Sequence, residues 1–451
     1  MKVETYHYKN GFRIIYEKSN NHVPLTSIIC FIKIGSIYEH SGNEDKGCEG
    51  VAHFIEHMCF KGTRQLSTTK DIVETYDRIG AYFNAFTTKE YTFYVIKCSQ
   101  DNVARCIHVL SDMLMNSVFK KKECELEKQV VIEEMIRQED NAEFHLSKMK
   151  DKYLYSGSLF ERPIDELLFH GSKLSLDYDT TLEMYRTFYK PNNMCLSIVS
   201  NLPLFVIKKM VESSFFMKPS KLLTVSPSYQ LNLQSKKEYT IQKKQGIKAT
   251  HLSISFRTCS YTNTDKHIIT LLSHIIGGSM TSRMFSVLRE KNGLTYSASC
   301  SYTYYAHMGE ITLHTMTDHN KMLKNSNKPG VLPLVIHILN MLIKKGITQE
   351  ELTGAKGFLQ GKMTIKMENS DSQCEYNGLE YFVYRQGQDD TTDNFVPFDK
   401  IYEKYYAPIT KKQVNDVIQK YLKSESMVIC LLGEHVPSLD TVMISCERFI
   451  G

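Results

Sequence analysis

The strongest constraint on what this chain can fold into is an order of predicted elements that runs through it twice. In the first half, residues 3–8 and 12–17 alternate and meet at an Asn10-Gly11 turn. The apolar run 26–34 (TSIICFIKI) reads as a buried strand. Helices follow, then strands over 82–86 and 91–98. An amphipathic helix over 101–119 places Val103, Ile107, Leu110 and Leu114 on one face, and a charged helix over 122–138 comes next. Thr180 and Glu183 have the spacing of a capping box opening a further helix, before the strand 194–200. In the second half, strand 251–256 is the counterpart of 26–34. Helices over 264–276 and 281–290 lead to strands 295–303 and 310–317. Three helices come after, one opening with a Thr348/Glu351 capping box, and a helix ending near Tyr421 precedes strand 427–432. Between the halves, 218–248 carries Pro219, Pro227, several Ser and Lys and little periodicity, the composition of a linker. The expected fold is therefore α+β. Two similar α/β sandwiches, 1–217 and 249–451, each have a mainly antiparallel sheet with helices packed on it.

Within the first half, residues 50–60 form an apolar-rich run with no Pro and no internal Gly, which reads as a buried helix. His53 and His57 are four apart and share a face, where two imidazoles can grip one metal ion. Glu56 lies on the same side, placed to take a proton from a water activated there. This is the H-x-x-E-H arrangement. A catalytic zinc takes three protein ligands and keeps one position open. The carboxylates available are on the charged helix, at Glu123, Glu125, Glu127, Glu133 and Glu134. Glu127 and Glu134 share one face and Glu133 points about 100° away, so spacing alone leaves both faces open. The second half has no H-x-x-E-H, so one metal per chain is expected.

The segment 53–63 (HFIEHMCFKGT) resembles the signature of the pitrilysin/insulinase-type zinc peptidases, most closely the mitochondrial processing peptidase β-subunit and its bacterial relatives. Residues 84–90 (NAFTTKE), 131–135 (VIEEM), 277–285 (GGSMTSRMF) and 289–297 (REKNGLTYS) resemble further segments of that family, in the same order. The resemblance implies a clamshell of two halves and a zinc ion bound by His53, His57 and Glu134, with Glu127 supporting a ligand. It implies Glu56 as general base and Tyr296 as a second catalytic group. Asn84, Ala85, Phe86, Arg289 and Tyr296 would hold substrate. The implied activity is endoproteolysis of short or unfolded polypeptides, by a chain acting alone, as a homodimer or with a related partner chain. The same fold also serves as a non-catalytic scaffold or partner subunit. Intact His53, Glu56, His57 and Glu134 argue against that here.

Composition adds exclusions. A net charge of +5 over 451 residues, with the lysines dispersed, gives no nucleic-acid-scale basic patch. No apolar run reaches the length of a membrane span. The 12 cysteines contain no C-x-x-C pair, and several sit in strand-like runs. Buried free thiols in a reducing compartment are expected, and cysteine is not the expected metal ligand. The first residues, MKVETY, have neither the apolar core of a secretory signal nor the character of a transit peptide. The expected location is intracellular: the cytoplasm, or the mitochondrial matrix if a leader has been removed.

Overall fold

The computed structural model describes residues 2–20, 22–39, 49–164, 169–170, 173–174, 176–219, 237–325, 328–384 and 395–451. The strands are β1 (Val3–His7), β2 (Arg13–Lys18), β3 (Leu25–Ile32), β4 (Tyr82–Thr87), β5 (Thr92–Ser99), β8 (Met194–Ser200), β9 (Glu238–Lys243), β10 (Thr250–Thr258), β11 (Ala298–Tyr304), β12 (Gly309–Thr317) and β15 (Met427–Gly433). Two short ladders complete the numbering, β6 (Phe169–His170) with β7 (Lys173–Leu174), and β13 (Lys324–Asn325) with β14 (Lys328–Pro329). The helices are α1 (Val51–Met58), α2 (Thr69–Asp77), α3 (Val103–Asn116), α4 (Lys121–Glu139), α5 (Ala142–Leu154), α6 (Tyr178–Phe188), α7 (Leu204–Glu212), α8 (Asp265–Gly277), α9 (Val331–Lys345), α10 (Gln349–Lys366), α11 (Ser370–Gly378), α12 (Lys411–Tyr421) and α13 (Leu439–Cys446).

The chain forms two compact units, and neither is one contiguous stretch. The first comprises Met1–Met135, Pro163–Tyr229 and Thr364–Lys400; the second comprises Ile136–Arg162, Gln230–Met363 and Ile401–Gly451. This differs from the expected division into 1–217 and 249–451. Two helices are exchanged: α5 belongs to the second unit and α11 to the first.

The first unit holds a six-stranded sheet in the order β1-β2-β8-β3-β5-β4, antiparallel except for the parallel pair β2/β8. The second holds a five-stranded sheet, β11-β12-β10-β15-β9, antiparallel except for β9/β15. Read from β4 and from β11, the two sheets have the same strand order and put the parallel pair at the same place. The repeated element order of the sequence is thus a repeated topology. Strand β3 is buried on seven of its eight residues because helices cover both faces of its sheet. Helix α11 lies across β3 and β8, and α1 packs toward β4 and β5. In the second unit α5 takes the corresponding place on β10 and β15, and α8 lies on β11.

The exchanged helices are docked by buried and half-buried polar contacts as well as by apolar area. Asn377 donates to Glu17 Oε2 (2.6 Å), Ser197 Oγ donates to the Cys374 carbonyl (2.7 Å), and Lys97 pairs with Asp371 (3.0 Å). Gly378 allows the close approach, since a Cβ there would fall 2.0 Å from the Phe31 ring. In the second unit Lys150 of α5 is 7% exposed and pairs with Asp151 (3.0 Å) and with Glu310 of β12, which also accepts from the Tyr155 hydroxyl (2.6 Å).

Three local expectations shift. The linker 218–248 lies outside the described residues over 220–236, and its far end is strand β9, which pairs with β15 through backbone bonds that need no side-chain alternation. Helix α6 starts at Tyr178, capped by Asp177, which accepts from Thr180 N (2.9 Å), so Thr180 and Glu183 sit inside it. The helix expected over 281–290 becomes a π-helical turn, Phe285–Lys291, and β11 begins at Ala298, after Tyr296. The Thr348/Glu351 capping box is present, at 2.7 and 3.1 Å. The described cysteines are all free and buried. Among the described residues no single helix is long and apolar enough to cross a membrane.

Candidate metal centre

Helix α1 buries Val51, Ala52, Phe54, Ile55, Glu56 and Met58, leaving His53 and His57 half-buried on its remaining face. Its first turn has no capping side chain of its own. Glu39 supplies one, accepting from Gly50 N (3.0 Å) and Ala52 N (2.9 Å) where the helix dipole favours an anion.

The two histidines bring their Nε2 atoms to 3.2 Å, with the rings at 83°. Helix α4 brings Glu134 Oε2 to 3.5 Å from His57 Nε2, and the donor atoms of all three side chains lie within 4.8 Å of one another. Zinc–ligand bonds of about 2.0–2.1 Å in tetrahedral array put neighbouring donors roughly 3.3 Å apart. The set therefore fits a zinc ion in spacing and in ligand type. Glu133, which spacing left as an alternative, is exposed. Cys59 is fully buried, which pushes its thiol up to about 12, and it is not part of the donor group, which is His53, His57 and Glu134.

Glu127, one face along α4 from Glu134, is 4% exposed. Its Oε1 is 2.9 Å from His57 Nδ1 and its Oε2 pairs with Lys61 Nζ. Burial alone would raise this carboxyl; the bonds to His57 and Lys61 outweigh it and hold its pKa below the usual range. With Nδ1–H donated to Glu127, the His57 ring turns its Nε2 toward His53 and Glu134.

Glu56 is 8% exposed, and its Oε2 accepts from the Thr87 hydroxyl (2.6 Å). Thr87 ends β4, so the base is tied to the strand at the sheet edge. That strand exposes Tyr82, Asn84 and Phe86 and buries the Ala85 side chain, while Ala85 N donates to Asn84 Oδ1 (2.9 Å). Beyond β5 it has no second neighbour among the described strands.

Arg289 and Tyr296 are in the second unit and form a pair of their own. The Arg289 guanidinium lies over the Phe285 and Tyr296 rings, 4.7 and 4.6 Å from their centroids, and donates to the Tyr296 carbonyl (3.1 Å). The Tyr296 side chain is mostly exposed. Sequence reasoning assigned no part to Thr87, Lys61 or Glu39. Lys61 is four residues beyond His57, a spacing that could have flagged it; Glu39 carries no local signal.

Residues 13–164 match the family model "Insulinase (Peptidase family M16)", and 175–359 match "Peptidase M16 inactive domain". An uncharacterised zinc protease of Bacillus subtilis is 29% identical over 83% of this chain and 87% of its own length. A protease structure from Helicobacter pylori superposes with a TM-score of 0.82 at 19% identity, covering 96% of this chain and 99% of that one. That likeness carries the two-unit fold. An uncharacterised zinc protease of Rickettsia bellii is 30% identical over 83% of this chain and 86% of its own length. Agreement across most of both chains, together with the family models, makes this chain a member of the insulinase (M16) peptidase family.

Proposed function

We propose that the chain is a zinc-dependent endopeptidase that hydrolyses peptide bonds in short or unfolded polypeptides. The observation that carries this reading is the convergence of His53, His57 and Glu134 at zinc-ligand spacing beside the buried carboxylate of Glu56. This is the one three-donor group found among the described residues, in keeping with one zinc per chain. Zinc, when bound, supplies a Lewis acid that polarises water and the scissile carbonyl. The chain's own residues do the rest. Glu56 takes the proton of the attacking water and later gives it to the leaving amine, with Oε2 held by the Thr87 hydroxyl. Glu127 fixes the His57 ring through Nδ1. An extended peptide adds to the outer edge of β4, displacing Asn84 Oδ1 from Ala85 N and lying along Asn84, Ala85 and Phe86. On the family resemblance we assign Arg289 and Tyr296 to substrate, with the Tyr296 phenol suited to stabilising the oxyanion.

The test is zinc stoichiometry by atomic absorption together with digestion of a mixed peptide library. One zinc per chain is expected, with cleavage lost to a chelator and restored by zinc. A chain that takes up no zinc and cleaves nothing would favour the scaffold reading.

A further inference from the structure

The buried carboxylate of Glu127 is bracketed by a single piece of chain. His57 and Lys61 are four residues apart at the end of α1, and each takes one oxygen: Oε1 faces His57 Nδ1 at 2.9 Å, and Oε2 faces Lys61 Nζ. Neither oxygen is left to solvent, because the Glu127 side chain is only 5% exposed. A carboxylate at that depth with a neutral imidazole alone would carry an uncompensated charge, which costs several kcal/mol. Lys61 supplies the compensating cation.

The Lys61 backbone is held as firmly as its side chain. Its N–H donates to the Met58 carbonyl (3.1 Å), closing the turn after α1. The next residue, Gly62, has φ +129°, and a Cβ there would fall 2.5 Å from the Ser67 carbonyl oxygen. The Gly62 carbonyl accepts from Val118 N (3.1 Å), and Thr63 bridges to Ser117. Lys61 therefore leaves a fixed turn toward a fixed target.

We infer that Lys61 is a positioning residue of the metal centre: its ammonium pins Glu127 Oε2, so that Oε1 holds the His57 ring with Nε2 facing His53 and Glu134, where those three residues would hold a metal. The inference rests on the zinc reading of His53, His57 and Glu134. Lysine suits the place because it reaches a single oxygen as a point charge and leaves the other to the imidazole. Arginine differs in shape but keeps the charge, and a single N–H of its fork can face Glu127 Oε2.

The test is zinc affinity of the full-length apoprotein, measured by competition with a chromophoric chelator, with no activity readout needed. Losing a group that orients a metal ligand typically weakens metal binding about 10- to 100-fold. Lys61→Met is expected to raise the zinc Kd at least about tenfold, and Lys61→Arg to stay near the parent. Lys61→Gln carries the same expectation as Met should the Met variant fail to fold. In a Glu127→Gln background, Lys61→Met should weaken zinc no further, because the lysine acts through that carboxylate. A Lys61→Met or Lys61→Gln Kd within about twofold of the parent overturns the inference, as do losses from Lys61 and Glu127 that simply add. If the parent chain takes up no zinc, the metal reading itself falls. If the parent binds and the Lys61 variants match it, only this inference does.

Discussion

Replacing Glu56 by Gln separates proton transfer from everything else the centre does. The carboxylate is 8% exposed, and its Oε2 accepts one bond from Thr87 Oγ1 at 2.6 Å. A Gln amide oxygen can accept the same bond at the same place, so the side chain keeps its position. The net effect on stability should stay within about 1 kcal/mol. Zinc binding should not change, because the donor triangle is His53, His57 and Glu134. What is lost is the group that accepts a proton. General-base removal costs about 100- to 10,000-fold in rate, or roughly 3–5 kcal/mol of transition-state stabilisation. The assay is steady-state cleavage of a fluorogenic peptide by parent and variant, with zinc measured on the same samples. A variant rate within tenfold of the parent would refute Glu56 as the base. A variant that loses its zinc would place Glu56 among the ligands and refute the assignment of the centre.

Other expectations are as direct. Glu134→Gln should lower bound zinc and Glu133→Gln should leave it unchanged, since Glu134 Oε2 is 3.5 Å from His57 Nε2 and Glu133 faces solvent; the reverse result by atomic absorption would shift the ligand by one residue. Arg289→Ala removes the cation stacked between Phe285 and Tyr296, and should lower kcat/KM for peptide while zinc content stays that of the parent. Unaltered kinetics would remove Arg289 from the substrate assignment. Lys150→Met removes the cation that the buried carboxylates of Glu310 and Asp151 share, and should destabilise the second unit by about 3–5 kcal/mol, a fall of about 10 °C in its melting transition. Calorimetry showing a shift under about 2 °C would mean the cluster contributes little.

What the sequence determined by itself was local or periodic. The spacing of His53, Glu56 and His57 sets their common face, because an α-helix has one geometry wherever it sits. The buried strand runs 26–34 and 194–200 are near-continuous apolar stretches, and they mark β3 and β8 because helices cover both faces of that sheet. The third carboxylate was different. Helix α4 exposes Leu126, Val130 and Ile136, so its apolar pattern does not say which face packs inward. Spacing therefore left Glu133 and Glu134 open, and burial of Glu127 and Val131 fixed the rotation.

The exchange of α5 and α11 had no local signature. The α11 sequence, SDSQCEYNG, has no apolar stripe, yet it lies across β3 and β8. Its partners are buried polar groups such as Glu17 and Ser197, more than a hundred residues away in the chain. Strand β9 was likewise hidden in a stretch that reads as linker, because its pairing with β15 is made by the backbone. Thr87 and Lys61 show the same division at the centre. Both stand in segments that the sequence singled out, and only packing brings one against Glu56 and the other against Glu127. Helical and strand periodicity is a property of neighbours in the chain. A hydrogen-bond partner distant in sequence is a property of the whole fold, and only the tertiary structure could supply it.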